Sequence, residues 1–352
     1  MTIKERILTA LTWGLPDRVP LTVYDWLLPR GQTERALREA GVGLIVRLPP
    51  HRTTHRDVQI RTCEYYEQGH KRIRRTIHTP VGDAWETLAP DDAYGTSNWI
   101  QEYLVKTPDD YRVLESYFQD LVFTDNLAAI REAERRVGED GVVFVRIAKS
   151  PVQDMLYTWL GLDRFAEDYQ DRRDLFDSLH ATMVKRYAEL YDLAAETPVT
   201  FLQLGDNIYS DMVGRERYTT YLVPEYAKIM ARIAGTGKRL AVHMDGNLRS
   251  LASEIAAAPF DIVEAMTPPP MGDFSVKEAR QRWPQKALWL NFTSSVHVEP
   301  PEMIAAHTRE LLADAGTVRG FGISVTEDAP VAALEQSLAV IARVLQEYGA
   351  PA

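Results

Sequence analysis

Arg239-Leu-Ala-Val-His243-Met-Asp245-Gly246, a helical run over residues 248–258, and Asp261-Ile-Val-Glu264-Ala-Met-Thr267 together decide the fold of this chain. The two flanking pieces are short apolar runs of strand length that end in polar residues, and the piece between them has helical spacing. Strand, helix and strand in that order form a parallel crossover unit, because parallel strands cannot be joined by a tight turn. Alternation puts His243 and Asp245 on one face of the first strand and Val242 and Met244 on the other. Imidazole and carboxylate projecting together from a strand end suit metal ligation or acid/base work. They also suit a plain hydrogen bond at a loop start.

Outward from this unit the same rhythm repeats. Strand-like runs occupy residues 19–27, 42–48, 142–148, 199–205, 239–245, 261–267, 287–292 and 318–325. Helical spacing covers 176–195, 224–234, 248–258, 276–283, 301–313 and 331–348; the first carries Leu179, Met183, Tyr187, Leu190 and Leu193 three or four residues apart. Eight strand–helix units predict an α/β fold, a (β/α)8 TIM barrel formed by residues 1–352 as one domain. One interval is much longer than the rest. Between the second and third strands, hairpin-like runs 56–66 and 71–79 flank Glu67-Gln-Gly-His70, and Gly82-Asp-Ala-Trp-Glu-Thr-Leu follows, then helices over 107–116 and 124–137. This predicts a β-ribbon and helix excursion, approximately residues 51–140, covering the mouth.

Composition narrows the function classes. Of 352 residues 45% are hydrophobic, enough for a sizeable core, and no apolar run reaches the length of a membrane span. The N-terminal residues read as an amphipathic helix, not a signal peptide. A single cysteine, Cys63, excludes an intrachain disulfide and any multi-cysteine metal site, and points to the cytoplasm. Cys63 itself reads as structural. A net charge of −10 argues against nucleic-acid binding. Positive charge is concentrated at Arg47, Arg52, Arg56 and Arg61 and at Lys71, Arg72, Arg74 and Arg75. That pattern fits a solvated ribbon or a clamp for an anionic substrate.

In such barrels chemistry sits where strands end, so the strand ends supply the candidates. They are Tyr24 and Asp25, then Arg47, Arg146 with Lys149, Gln203 with Asp206, His243 with Asp245, Glu264, Asn291, and Glu327 with Asp328. Glu264 stands out, because a carboxylate inside an apolar strand is costly unless paired or metal-bound. A salt bridge to Arg47 or Arg146 would satisfy it equally. Glu327 and Asp328 precede Ala-Pro and could equally begin a helix, and Asp206 could be a turn residue. The sequence thus offers His243, Asp245, Glu264 and Asp206 for catalysis, and Tyr24, Asp25, Arg47, Arg146, Lys149, Gln203 and Asn291 for substrate contacts. His, Asp and Glu without thiolate form a nitrogen/oxygen donor set compatible with Zn²⁺ or a similar ion. Metal-free acid/base chemistry uses the same residues. Tyr24, Trp26, Trp85, Trp99 and Tyr157 could line a pocket for a flat substrate or simply pack.

Several segments resemble the uroporphyrinogen decarboxylase superfamily, which includes corrinoid-linked methyltransferases. Lys4-Glu-Arg-Ile-Leu-Thr-Ala-Leu11 followed by Pro16-Asp-Arg-Val-Pro20 resembles that family's entry to its first strand. Thr79-Pro-Val-Gly82 and Val105-Lys-Thr-Pro-Asp-Asp110 are similar to its methyltransferase-like members. His243-Met-Asp-Gly-Asn247 resembles the family's H-x-C-G-N or H-x-D-G segment, and Phe321-Gly-Ile-Ser324 with Tyr348-Gly349 its last unit. Two departures matter. Tyr24-Asp-Trp-Leu-Leu-Pro-Arg30-Gly lacks the arginine-rich segment of the haem-pathway decarboxylases, although Arg30, Arg47 and Arg52 could partly replace its anion site. The cysteine ligands of thiol-methylating members are absent, with Asp245 and the Glu327 region in their places.

The resemblance therefore implies a zinc-dependent, corrinoid-linked methyltransferase or O-demethylase component. It would move a methyl group from a methoxylated or methylated small molecule to a corrinoid carried by a separate partner protein. Zinc would be held by His243, Asp245 and Glu264, with Glu327 as a further ligand, and a homodimer is implied as well. The alternatives are a decarboxylase of a polycarboxylate or porphyrinogen, and a non-catalytic barrel binding a tetrapyrrole or small acid.

Overall fold

Val42-Gly-Leu-Ile-Val-Arg-Leu48 is rich in apolar residues on both faces, and such a run suits a strand covered from both sides. Seven similar runs join it in parallel. The computed structural model describes residues 1–28, 30–91 and 98–349. Among these, Leu21–Tyr24, Val42–Leu48, Gly141–Ala148, Phe201–Leu204, Arg239–His243, Ile262–Met266, Ala287–Asn291 and Phe321–Val325 close a barrel in sequence order. The first strand closes the ring by pairing with both the second and the eighth, Tyr24 beside Ile45 and Val23 beside Val325. With helices between its strands, the molecule is a (β/α)8 TIM barrel. No described helix is long and apolar enough to cross a membrane.

The chain divides into two units. The barrel unit comprises Met1–Pro50, Asn126–Ala148 and Ala194–Ala352, and the second comprises His51–Asp125 and Lys149–Leu193. The barrel interior is packed. Phe144 and Phe201 pack against Trp289 at centroid distances of 4.6 and 5.8 Å, and Trp289 Nε1 donates to Thr22 Oγ1 at 2.9 Å. Helix Ile3–Leu11 begins in a capping box, with Thr2 Oγ1 accepting from Glu5 N at 3.1 Å and Glu5 Oε2 accepting from Thr2 N at 2.9 Å. Its Ile3 and Ile7 side chains fill the space that a side chain at Gly43 would need.

In the second unit, Gln59–Glu67, His70–Thr79, Gly82–Pro90 and Asn98–Glu102 form an antiparallel sheet in sequence order. His51–His55 pairs antiparallel with Leu121–Asp125. Helix Pro108–Asp120 ends at a carboxylate that accepts from the backbone N–H groups of Arg56, Asp57 and Val58. Further along the chain, Tyr111 donates to Asp168 at 2.9 Å and Tyr187 to Asp154 at 2.5 Å.

Strand ends depart from the sequence expectation in an instructive way. The first strand stops at Tyr24, because Asp25–Leu27 turn into a 3-10 segment. The fourth covers only Phe201–Leu204, and the eighth starts at Phe321, after Gly320 takes φ +63. The fifth stops at His243, so Asp245 belongs to the loop. A helix expected over 124–137 begins only at Leu127, because 121–125 pair as a strand. Residues 92–97 of the expected excursion lie outside the described residues.

Candidate metal centre at the barrel mouth

Parallel pairing brings His243 directly beside Glu264, and Glu264 beside Trp289. Just past Glu264 the sixth strand bulges: the next paired residue is Met266, and Ala265 takes φ +65, a left-handed conformation that costs an alanine energy. The third and fourth strands slip in the same way, from Arg146 beside Gln203 to Ala148 beside Leu204. Bulges at barrel rims re-aim side chains, and both of these flank the polar cluster.

Glu264 is 1% exposed and its carboxylate is saturated by side chains. Oε1 accepts from Tyr24 OH at 2.5 Å, and Oε2 accepts from Gln203 Nε2 at 2.8 Å. Oε2 also lies 2.7 Å from His243 Nδ1. Gln203 Nε2 donates to Tyr24 OH at 3.0 Å as well. The sequence reading allowed a salt bridge from Glu264 to Arg47 or Arg146, but neither makes one. Arg47 stacks instead, its guanidinium carbon 3.8 Å from the Tyr24 ring centre and 4.0 Å from that of Trp26. Arg146 turns the Nε and Nη2 edge of its guanidinium to Gly205, where an added Cβ would sit 2.8 Å from both atoms.

The opposite edge of the His243 ring faces two other carboxylates. Nε2 lies 3.7 Å from Asp245 Oδ2 and 3.6 Å from Glu327 Oε1. One donor atom from each of His243, Asp245 and Glu327 falls within 4.8 Å of the others, a group that could hold a metal ion. Glu264 stands apart from this group, on the far ring nitrogen. With Nδ1–H donating to Glu264, an Nε2 freed of its proton would direct its lone pair between Asp245 and Glu327, so the Glu264 contact fixes the tautomer that could ligate a metal. Glu327 is free for this role because helix Val331–Tyr348 has Pro330 at its N-cap, two residues beyond Asp328, which is exposed.

The electrostatics follow from burial and charge. Burial alone would lower the His243 pKa. The Glu264 charge and hydrogen bond, with the nearby carboxylates of Asp245 and Glu327, outweigh it and hold the imidazole well above its usual value. Burial would raise Glu264, but His243, Tyr24 and Arg47 keep it below the ordinary glutamate range. Burial, and then the Glu264 charge, push the Tyr24 phenol up. Burial raises Asp25 against the nearby charges of Arg30 and Arg47. Without a metal, three carboxylates therefore hold a cationic imidazolium, and a divalent ion would displace its Nε2 proton.

The remaining candidates are dispersed around this cluster. Asn291 Nδ2 donates to Thr267 Oγ1 at 3.1 Å, and its Oδ1 accepts from Thr326 N at 3.0 Å, which fixes the loop leading to Glu327. Asp206 is fully buried and accepts from Tyr226 OH at 3.0 Å, outside the three-residue donor group. Gln203 Oε1 and Ser324 Oγ are buried with no hydrogen-bond partner among the described residues. Lys149, Trp85, Trp99 and Tyr157 belong to the second unit. There Trp85 is stacked by Arg74 at 4.1 Å and Lys106 at 4.0 Å, and Trp99 is exposed.

Sequence reasoning missed Tyr209. Its ring covers Gly246 so closely that an added Cβ would lie 2.3 Å from it. Burial and the charges of Asp245 and Glu327 raise its phenol pKa. Backbone bonds from Ile208 N to His243 O and from Gly246 N to Ile208 O tie its loop to the His243 loop. The glycine after Asp245 was the available signal: a close approach at that point needs a residue without a side chain.

Comparison with known proteins places this geometry in context. Residues 93–344 match the family model described as Uroporphyrinogen decarboxylase (URO-D). A methyltransferase from Methanosarcina mazei is similar in structure at TM-score 0.60 and 15% identity, covering 99% of this chain and 99% of that one. At that identity the likeness concerns the fold. A structure described as a vitamin-B12-independent methionine synthase from Listeria monocytogenes aligns at TM-score 0.40 and 15% identity, covering 64% of this chain and 70% of that one. No curated protein sequence matches the chain.

Proposed function

The chain belongs to the uroporphyrinogen decarboxylase family, and from that premise we propose that it is a zinc-dependent methyltransferase of the corrinoid-linked kind. The observation that carries this reading is the His243 ring, clamped by Glu264 at Nδ1 and facing Asp245 and Glu327 with Nε2. His243, Asp245 and Glu327 would hold the ion, and Glu264, first read from sequence as a ligand, is assigned here to orienting His243. One nitrogen and two oxygens leave a coordination position for substrate. A zinc ion there would act as a Lewis acid on an ether or amine heteroatom and weaken its bond to methyl.

The chain's own residues supply the rest. Glu264, locked by Tyr24 and Gln203, keeps His243 in one tautomer. Arg47, stacked over Tyr24 and Trp26, offers a cation for a substrate carboxylate. Gln203 Oε1 and Ser324 Oγ have unused hydrogen-bonding capacity for a polar ligand or water. The methyl acceptor would be a reduced corrinoid on a partner protein, and the donor a methoxylated or methylated small molecule.

The test is methyl transfer from methoxylated aromatics and methylamines to cob(I)alamin, followed by the absorbance change on methylation. Zinc-dependent transfer that disappears in His243→Ala supports the reading, and zinc-loaded protein that methylates no corrinoid with either donor class overturns it. A second reading, decarboxylation of a polycarboxylate, is favoured by Arg47 and by the family's own description. Release of carbon dioxide from a porphyrinogen by metal-free protein would establish it instead.

A further inference from the structure

Strand Gln59–Glu67 is the outer strand of the four-stranded sheet, and among the described residues nothing pairs with its outer side. Eight of its nine residues are exposed, Ile60 and Tyr66 among them. It pairs with His70–Thr79 without a bulge, from Gln59 beside His78 to Glu67 beside His70. Natural sheets seldom leave so long and regular an edge uncovered, since it is a template for another strand.

The strand's sequence identifies what fits that template. Gln68 and Gly69 both have positive φ, 51° and 83°, as a two-residue type I′ hairpin turn requires. Such a turn closes on a hydrogen-bonded pair, Glu67 with His70. Alternation then turns the backbone groups of the odd-numbered residues toward His70–Thr79 and those of Ile60, Thr62, Glu64 and Tyr66 outward. A second copy of the same strand, laid antiparallel about a two-fold axis through Cys63, pairs all nine residues. Ile60 meets Tyr66 of the second copy and Thr62 meets its Glu64, and these are the residues whose N–H and C=O groups point outward. Arg61 meets Tyr65, Gln59 meets Glu67, and Arg61 lies diagonal to Glu67. No like charges stand opposite each other. Centring the axis on Arg61 or Glu64 would set two arginines or two glutamates face to face.

We propose that this edge is a homodimer interface, with two copies of Gln59–Glu67 joined into one continuous eight-stranded antiparallel sheet. Cys63 then reports on it, because it faces its own counterpart in a non-hydrogen-bonded pair, where Cα atoms approach closely enough for a disulfide. This inference is independent of the methyltransferase reading.

The experiment is sedimentation velocity across a concentration series on the full chain. Thr62→Pro removes an outward N–H without touching the hairpin's own ladder. It should weaken the dimer roughly 30-fold, since each of two symmetry-related bonds is lost. Cys63→Lys alters an exposed side chain, keeps every backbone group and sets two charges against each other at the axis, so it should also favour monomer. Diamide, itself reduced as it takes two electrons and two protons from a pair of thiols, should link wild-type chains through Cys63 in proportion to the dimer present. Cys63→Ser should remain unlinked. A wild type that stays monomeric throughout the series, or a dimer indifferent to both variants, overturns the proposal.

Discussion

Two buried histidines of this barrel show how surroundings decide what an imidazole can do. His243 ends the fifth strand at 6% exposure, and His297 lies in the turn Ser294–Val298 after the seventh strand at 2%. His297 contacts Ser337 Oγ at 2.7 Å through Nδ1, packs its ring 4.9 Å from Phe292, and has no partner for Nε2 among the described residues. Burial, with a smaller push from His307, lowers its pKa to about 4. His243 is as deeply enclosed, yet three carboxylates surround it and its pKa moves the other way. Burial alone makes a neutral packing group. Burial with carboxylates on both ring edges makes a charged imidazolium instead.

Removing each ring tests the contrast most severely. His243→Ala should weaken zinc binding on the order of 10³-fold, one ligand's share of a site of ordinary zinc affinity. His297→Ala should leave zinc binding unchanged and lower thermal stability only. Competition against a chromogenic chelator measures the first, and a melting curve the second.

The pH dependence of metal-free protein should separate the pair next. A histidine with a lowered folded pKa is stabilising above its unfolded value near 6.5, and that stability is lost as pH falls. For His297, whose pKa is about 4, the loss between these values amounts to about 3 kcal/mol. His243 has the opposite sign: its contribution is complete below about 6.5 and disappears as pH rises through its elevated folded pKa. Urea melts at pH 7 and 4.5 should show His297→Phe losing less stability than wild type on acidification. Parallel slopes in these two proteins would contradict a neutral, buried His297.

Smaller changes sharpen it. Glu264→Gln keeps the shape of the orienting group but removes its charge, and should cost roughly 10- to 100-fold in zinc affinity. Tyr24→Phe removes one hydrogen bond to that carboxylate and should cost about 1.5 kcal/mol of stability, with a lesser effect on zinc. If Tyr24→Phe impaired zinc binding more than Glu264→Gln, the assignment of Glu264 as the orienting group would be wrong.

Much of this architecture was legible in the sequence, because strand-length apolar runs alternating with helical spacing are local signals. The strand order and His243 at a strand end followed from them. What pairs across the barrel was not legible. Glu264 meets Tyr24 and Gln203 from strands far away in the chain, and only barrel closure sets those distances. The bulge at Ala265 was equally hidden, since nothing in Val-Glu-Ala-Met announces an alanine with positive φ. Asp245 reached the site for a reason other than alternation: the strand had already ended, and the loop pinned by Tyr209 and Gly246 carries it there. Cys63, read as structural, is exposed on an edge strand, because a strand-like pattern does not say which strand lies outermost.

The most direct test of the central claim is zinc stoichiometry by elemental mass spectrometry on untagged protein after reconstitution and desalting. Wild type should be measured beside His243→Ala, Glu327→Ala and His297→Ala. The account predicts close to one zinc per chain in wild type and His297→Ala, and loss of it in the other two. Zinc retained by both His243→Ala and Glu327→Ala, or a wild type that takes up none, would contradict it.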